Sequence, residues 1–364
     1  MKEVKFSKTS GSSFTAELRE KVNNYFKENN IKKHGGKSIV IKSIIMLTLF
    51  LVPIILLLIG GISQPSIIFL LYFISGIGMA GIGMGIMHDA LHGSYSGKKS
   101  INQLMGYSIN LIGANATIWK IQHNVLHHTY TNIDELDDDI NTPGILRFSP
   151  DRNRQWFHKF QHIYAWFLYG LLTLIWVTTR DFTRIRQYKK MGFFKENQVY
   201  KLEILKAVIW KATYFTYALI LPIILNPVAW WVIPVAFLMM HFMTGTILSV
   251  VFQTAHVMPS NEFPRPDKNG LMKNDWLFHQ METTSNYAPT SRLFSWFIGG
   301  LNFQVEHHLL PHISHIHYKG LSKIVKNLAI KYDLPYNSKR NFLSAILAHK
   351  KMLKHLGTVP TTNL

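Results

Sequence analysis

Two long uncharged stretches dominate this sequence of 364 residues. Residues 43–88 contain no Asp, Glu, Lys or Arg, and residues 212–261 contain none either. A membrane-spanning helix needs about 20 mostly apolar residues, so each stretch is long enough for two crossings. The sequence therefore predicts an all-α integral membrane protein, with transmembrane helices at about 39–59, 66–87, 208–225 and 229–252.

The positive charge of the chain lies outside these stretches. The formal net charge is +19, which could indicate a nucleic-acid-binding protein, but the Lys and Arg side chains flank the apolar spans. Lys37 and Lys42 stand at one end of the first helical hairpin and Lys98 and Lys99 at the other. Since cytoplasmic loops are enriched in Lys and Arg, both ends of this hairpin are expected on the cytoplasmic side. We expect no nucleic acid partner and a bacterial inner membrane, with both termini cytoplasmic.

The segments around the four predicted crossings are expected to remain outside the bilayer core. Residues 1–38 are predicted as a polar cytosolic arm with an amphipathic helix near residues 15–26, and residues 331–364 as a basic cytosolic tail after a membrane domain at 39–330. Residues 101–118 are predicted as an interfacial or buried segment, and residues 163–179 as an interfacial helix. Residues 276–286 are predicted as a surface segment.

Seven histidines occur in three short clusters that adjoin the apolar spans. They are His88 and His92, then His123, His127 and His128, and finally His307 and His308, preceded by Gln304. Positions four apart share one face of a helix, so pairs of imidazoles can point to one place. A single tetrahedral ion needs four ligands, so seven histidines indicate two metal ions. A solitary histidine is more often a surface or satisfied core group, but three clusters together favour metal binding.

Further polar groups lie near the same predicted face. His256 follows the fourth predicted helix and is a candidate eighth ligand, whereas His241, in mid-span, is expected to be neutral and hydrogen-bonded. Residues 134–139 contain five carboxylates. They could form a solvated loop, or one or two of them could accept the second ring N–H of a ligand histidine.

The donor set limits the chemistry. The chain has no cysteine, which excludes thiolate zinc and iron–sulfur sites, while imidazole suits zinc, copper, iron or nickel. Zinc has no redox chemistry, whereas oxidising an unactivated methylene of a long apolar chain favours iron. A basic cytoplasmic face also suits an acidic electron carrier. These residues indicate a membrane di-metal oxidase and do not separate dehydrogenation from hydroxylation. A metal transporter would instead distribute histidines through the membrane depth, where only His241 lies.

The order and spacing of the clusters resemble the membrane fatty acid desaturase family over about residues 40–330. The neighbouring phrases are similar too: Gln-His-Asn at 122–124, His-Thr-Tyr-Thr-Asn at 128–132, Gly-Gly-Leu-Asn-Phe-Gln at 299–304 and Glu-His-His-Leu-Leu-Pro at 306–311. The resemblance implies a di-iron enzyme with four transmembrane helices and a cytosolic helical cap. Such an enzyme uses O2 and two electrons to place a cis double bond in an acyl-CoA or lipid-linked chain. A fatty acyl or lipid hydroxylase on the same scaffold is the alternative.

Carried over to this sequence, the resemblance implies a specific ligand set and partner. The implied iron ligands are His88, His92, His123, His127, His128, His256, His307 and His308. Gln304 resembles the front-end branch, of delta-5 and delta-6 type, and could be a weak ligand, hold a water or orient a histidine. Residues 1–38 are too short for the fused cytochrome b5 domain of many front-end members, so electrons are expected from a separate ferredoxin or cytochrome b5 partner.

Overall fold

The computed structural model describes residues 4–7, 12–142 and 144–361, so parts of the predicted arm (1–3 and 8–11) and of the predicted tail (362–364) lie outside the described residues. The chain is mostly helical and forms two compact units. The histidine-rich unit comprises Met1–Gly36, Ile121–Ala165 and Val250–Leu364. The apolar unit comprises Lys37–Lys120 and Trp166–Ser249. Each unit combines distant parts of the sequence, and the linear division at residues 38 and 330 stays a prediction.

Among the described residues, four helices are long and apolar enough to cross a membrane, as the sequence predicts. They are Gly36–Ile59, Pro65–Leu91, Asn197–Leu225 and Val232–His256. Some predicted bounds are wrong, and the largest error is at the third helix, which begins at Asn197 rather than near residue 208. The part before residue 208 carries charges that the structure pairs, since Glu203 accepts from Lys206 at 2.8 Å. Farther along the helix, Lys211 pairs with Asp181 at 2.7 Å. The second helix continues to Leu91 and the fourth to His256, so both reach their histidines.

The two helices of the first hairpin pack closely at a glycine. A Cβ atom on Gly78 would lie only 2.4 Å from the backbone nitrogen of Phe50. One turn away, the Ser75 hydroxyl donates to the Phe50 carbonyl at 3.1 Å. Small residues permit such approach between membrane helices.

His241 is buried within the apolar unit, as expected, and its ring is fully hydrogen-bonded. The Tyr214 hydroxyl donates to its Nε2 at 2.8 Å, and its Nδ1 lies 3.1 Å from the Thr173 hydroxyl. That hydroxyl donates in turn to the His241 carbonyl, so Nδ1 carries the proton. The expectation of a neutral, hydrogen-bonded histidine is confirmed.

Shorter helices connect the long ones. Residues 101–118 contain no crossing and form the helices Lys99–Gly106, Ser108–Leu111 and Ala116–Lys120. The aromatic segment forms two helices, Trp156–Gly170 and Leu172–Lys190, bent by 56° at their junction. Whether this pair lies along the membrane interface, as the sequence predicts, stays a prediction.

The histidine-rich unit is built around an apolar core beneath its amphipathic helices. Its longer helices are Ser12–Glu28, Tyr318–Lys331 and Phe342–Thr358, and its shorter ones include Trp276–Thr283, Arg292–Phe297 and Gln304–Leu309. Two short parallel pairs of strands join Lys5–Phe6 to Leu271–Met272 and Ser285–Tyr287 to Asn337–Lys339. Apolar side chains of Ser12–Glu28 and Tyr318–Lys331 pack with Val305 and Leu309 in one apolar core. This packing fixes the position of the short helix that carries the third histidine cluster.

Candidate metal centre

His123 and His127 of the second cluster lie on a π-helical turn, Ile121–His127, rather than on the α-helix that the spacing predicts, and His128 begins the next short helix. In a π turn the backbone hydrogen bonds join residues five apart, and such turns often occur at functional sites. His123 and His128, which are five positions apart, therefore share one side, with their Nε2 atoms 3.3 Å apart. The rings of His123 and His127 also stack, with centroids 5.1 Å apart.

Two carboxylates from the acidic run fix this cluster. The Nδ1–H of His127 donates to Asp137 Oδ1 at 2.9 Å, and that of His123 donates to Asp139 Oδ2 at 3.0 Å. Burial alone would raise the pKa of Asp139, but His127, His123 and Gln122 hold it well below its usual value. Of the two alternatives that the sequence left open, the structure therefore selects anchoring of ring N–H groups for these two carboxylates. Each carboxylate accepts the Nδ1 proton of its histidine. The lone pair of that histidine is therefore on Nε2, where it is available to a metal.

His256 and His308 repeat this arrangement with neutral partners. His308 Nδ1 lies 2.7 Å from Gln280 Oε1, and His256 Nδ1 lies 3.4 Å from the Thr283 carbonyl. The Nε2 atoms of both rings are buried and have no hydrogen-bond partner in the described part of the chain. With His127 they form a group whose candidate ligand atoms lie within 4.8 Å of one another. Three buried imidazoles thus present Nε2 lone pairs to one place.

His128 and His307 belong to a neighbouring group with His308, within the same distance limit of 4.8 Å. The Nε2 atoms of His128 and His307 are 2.9 Å apart, and two ring nitrogens this close need a shared proton or a shared cation between them. The Nδ1 atom of His307 lies 3.2 Å from the Tyr318 hydroxyl. His307 is therefore oriented by a side chain that no motif in the sequence indicated.

Glu306 lies on the same short helix as the third cluster and is buried. Its two carboxyl oxygens accept hydrogen bonds from the Tyr336 hydroxyl and from Asn286 Nδ2, each at 2.8 Å. Burial raises the pKa of Glu306 to about 7. Gln304 is also buried, and its Nε2 has no hydrogen-bond partner among the described residues. Its role as a ligand stays a prediction.

The first cluster lies in the apolar unit. His88 and His92 have ring centroids 4.8 Å apart, and both rings meet Trp119 edge-on, at 5.6 and 5.9 Å. Their spacing on one helical face is as the sequence predicts.

A small apolar cavity lies in the same unit. Met87, the neighbour of His88, lines it together with Met79, Gly83, Ile109, Ile112, Ala114, Thr173, Trp176, Val177 and Leu248. Thr173 is the only polar side chain in that set. The lining is therefore almost entirely apolar.

The prediction that residues 276–286 form a surface segment is wrong. Residues 279–281 and 283–286 are buried, because their polar groups bond to the histidine clusters and to each other. The sequence did not identify Gln280 and the Thr283 carbonyl as partners of the histidines. A polar segment in a sequence does not show which groups its side chains will bond to. His315 and His317 are buried as well, but neither belongs to a group of metal-ligand geometry among the described residues.

Comparison with known proteins decides the family. The pattern of the family described as "Fatty acid desaturase" matches residues 64–340. The chain belongs to the fatty acid desaturase family. This desaturase is 32% identical over 363 residues to the sn-1 linoleoyl-lipid 6-desaturase of Arthrospira platensis, covering 99% of this chain and 96% of the relative. It is 31% identical over 358 residues to the acyl-lipid (8-3)-desaturase of Physcomitrium patens, covering 97% and 74% of the two chains.

These matches confirm the resemblance and the enzyme class. The desaturase is an oxidoreductase, with histidine clusters compatible with a metal site. The family acts on acyl lipids and takes electrons from a donor.

Proposed function

We propose that this desaturase inserts a cis double bond into a long acyl chain at a site that holds two iron ions. One observation carries the proposal: His127, His256 and His308 are buried, and each offers a ring nitrogen within 4.8 Å of those of the other two. Each Nδ1 faces a hydrogen-bond acceptor, namely Asp137, the Thr283 carbonyl and Gln280. A histidine ligand in proteins almost always has its second nitrogen occupied in this way.

The residues present fit iron. An all-imidazole donor set suits iron, and the Nε2 atoms of His256 and His308 are buried and have no protein partner in the described part of the chain. The proposed ligands are His88, His92, His123, His127, His128, His256, His307 and His308, with Gln304 holding a water or a weak ligand position. The chemistry that bound iron supplies is the oxidation of two adjacent methylenes: O2, two electrons and two protons take up the two hydrogens, giving one double bond and two waters.

The protein side chains orient the site and keep water out. Asp137 and Asp139 hold the Nδ1 protons of His127 and His123, which fixes both tautomers. Tyr318 orients His307 from its Nδ1 side. All three histidines and Asp137 are buried, so bulk water is excluded from the place where a reactive oxidant would otherwise be lost.

The substrate is proposed to be an acyl-CoA or, by likeness to the acyl-lipid relatives, a lipid-linked chain. We propose front-end regioselectivity of delta-5 or delta-6 type, supported by Gln304 at the head of the third cluster and by relatives named as 6-desaturases. Electrons are proposed to come from a ferredoxin or cytochrome b5 partner on the cytoplasmic side, where the basic charge of this chain attracts an acidic carrier.

Product analysis tests the proposal. The chain is expressed with a ferredoxin or cytochrome b5 reduction system in a host fed with linoleate, and the fatty acids are separated by gas chromatography and mass spectrometry. We expect a new polyunsaturated acid whose added cis double bond lies on the carboxyl side of the existing ones. A hydroxylated acid would instead select the hydroxylase. The absence of any new product from iron-loaded, reduced protein would reject both.

A further inference from the structure

Gln280 links two of the histidine clusters through one buried oxygen atom. It lies on the helix Trp276–Thr283, and its side chain is fully buried. Its Oε1 lies 2.7 Å from His308 Nδ1 in the third cluster. The same oxygen lies 2.9 Å from the hydroxyl of Thr131, which follows the second cluster. That hydroxyl also lies 2.7 Å from the His127 carbonyl.

The position of Gln280 sets which nitrogen of His308 carries the proton. An amide oxygen can only accept, so a ring bonded to it at Nδ1 must be the Nδ1–H tautomer with its lone pair on Nε2. The other group near Nδ1 is the Thr131 hydroxyl, at 3.4 Å, which is long for a hydrogen bond of this type. Gln280 is therefore the main acceptor for His308.

Gln280 also differs in charge from the groups that orient the second cluster. His127 and His123 donate to the carboxylates of Asp137 and Asp139, whereas His308 donates to a neutral amide. Hydrogen bonds to charged acceptors are stronger than neutral ones and make the donor imidazole more basic. The amide thus fixes the direction of the His308 ring without increasing its basicity as a carboxylate would.

We propose that Gln280 is a positioning residue for His308, which aims the Nε2 of that ring at the place shared with His127 and His256. The inference rests on the proposed function, because it takes His308 to be an iron ligand. It adds a role for a residue outside the histidine clusters.

Metal titration of the purified full-length protein tests this role. The protein is stripped with a chelator and titrated anaerobically with Fe²⁺ alone, and bound metal per chain and affinity are measured. Gln280→Leu removes the acceptor with little change in volume, and Gln280→Glu keeps an acceptor oxygen. The control is Thr284→Val, because the buried Thr284 hydroxyl donates to the Gln280 carbonyl at 2.6 Å and bonds to no histidine in the described part of the chain.

For Gln280→Leu we expect one of the two metals to bind about 10 to 100 times more weakly. Gln280→Glu should retain both metals, but its Co²⁺-substituted form should show a shifted visible spectrum, since a carboxylate changes the donor strength of His308. Thr284→Val should match the wild-type protein in both measurements.

Three results would overturn the inference: unchanged affinity in Gln280→Leu, an equal loss in Thr284→Val, or loss of metal in Gln280→Glu equal to that in Gln280→Leu. Failure of the proposed function has a different signature. In that case wild-type protein binds no iron, or His308→Ala binds as much iron as the wild-type protein does.

Discussion

At the scale of single residues, the two nitrogens of each imidazole have separate tasks. The Nδ1 atoms of His123 and His127 face carboxylates, those of His256 and His308 face neutral oxygens, and that of His307 faces a phenol. Rings held in this way lose little freedom when a metal binds, because their orientation is already fixed. The partner at Nδ1 also sets how strongly each Nε2 donates.

His127→Ala should reduce turnover by at least about 100-fold, because losing a ligand should cost at least as much as losing one of its hydrogen-bond partners. Membrane insertion should be unchanged, since the apolar helices direct it. The measurements are product formation and the amount of protein in the membrane fraction.

The matched control for this change is His349→Ala. His349 is also buried, but its Nδ1 donates to the Val257 carbonyl at 2.8 Å, and it belongs to none of the metal-ligand groups. Its removal should lower stability and leave turnover per folded chain intact. Full activity in His127→Ala would remove that histidine from the ligand set.

At the scale of secondary-structure elements, backbone geometry decides which side chains meet. The π turn at Ile121–His127 places His123 beside His128, a pairing that regular α-helical spacing would not give. In the first hairpin, Gly78 lets one helix backbone rest directly on the other. The first feature depends on a local departure from α-helical spacing, and the second depends on the absence of a Cβ atom.

Gly78→Ala should lower the free energy of unfolding by about 1–3 kcal/mol, as expected for overpacking. The added Cβ would meet backbone atoms of Phe50 and Leu49, at 2.4 and 2.7 Å, which cannot rotate away. Thermal or denaturant unfolding of the protein in detergent measures the change. Gly83→Ala is the control, because its Cβ would lie at an ordinary 3.4 Å from a Leu248 side-chain carbon. Equal stability of the two variants would contradict the close packing.

The existence of the long helices could be predicted from the sequence more accurately than their first and last residues. Uncharged stretches identified all four long helices, because no soluble fold leaves so many positions without charge. The start of the third helix was predicted near residue 208 instead of at Asn197, because Glu203 and Lys206 look like loop residues until their ion pair is known. The π turn could not be predicted, since its sequence has the same apolar spacing as an α-helix.

At the scale of the whole molecule, the site is made from residues that are far apart in the sequence. His308 and Gln280 are 28 positions apart, and His128 and His307 are 179 positions apart. The histidines could be predicted because their type and spacing indicate metal chemistry by themselves. Gln280, Tyr318 and the Thr283 carbonyl could not, because an amide, a phenol or a carbonyl has a meaning here only through the partner that tertiary packing supplies.

The metal content of the purified enzyme tests the account most directly. Full-length protein is purified from cells grown with iron, and iron and zinc are measured by mass spectrometry against the protein concentration. We predict two irons per chain, with about half or less retained in His308→Ala. Zinc in place of iron, no bound metal, or two irons per chain in the absence of His308 would contradict the account.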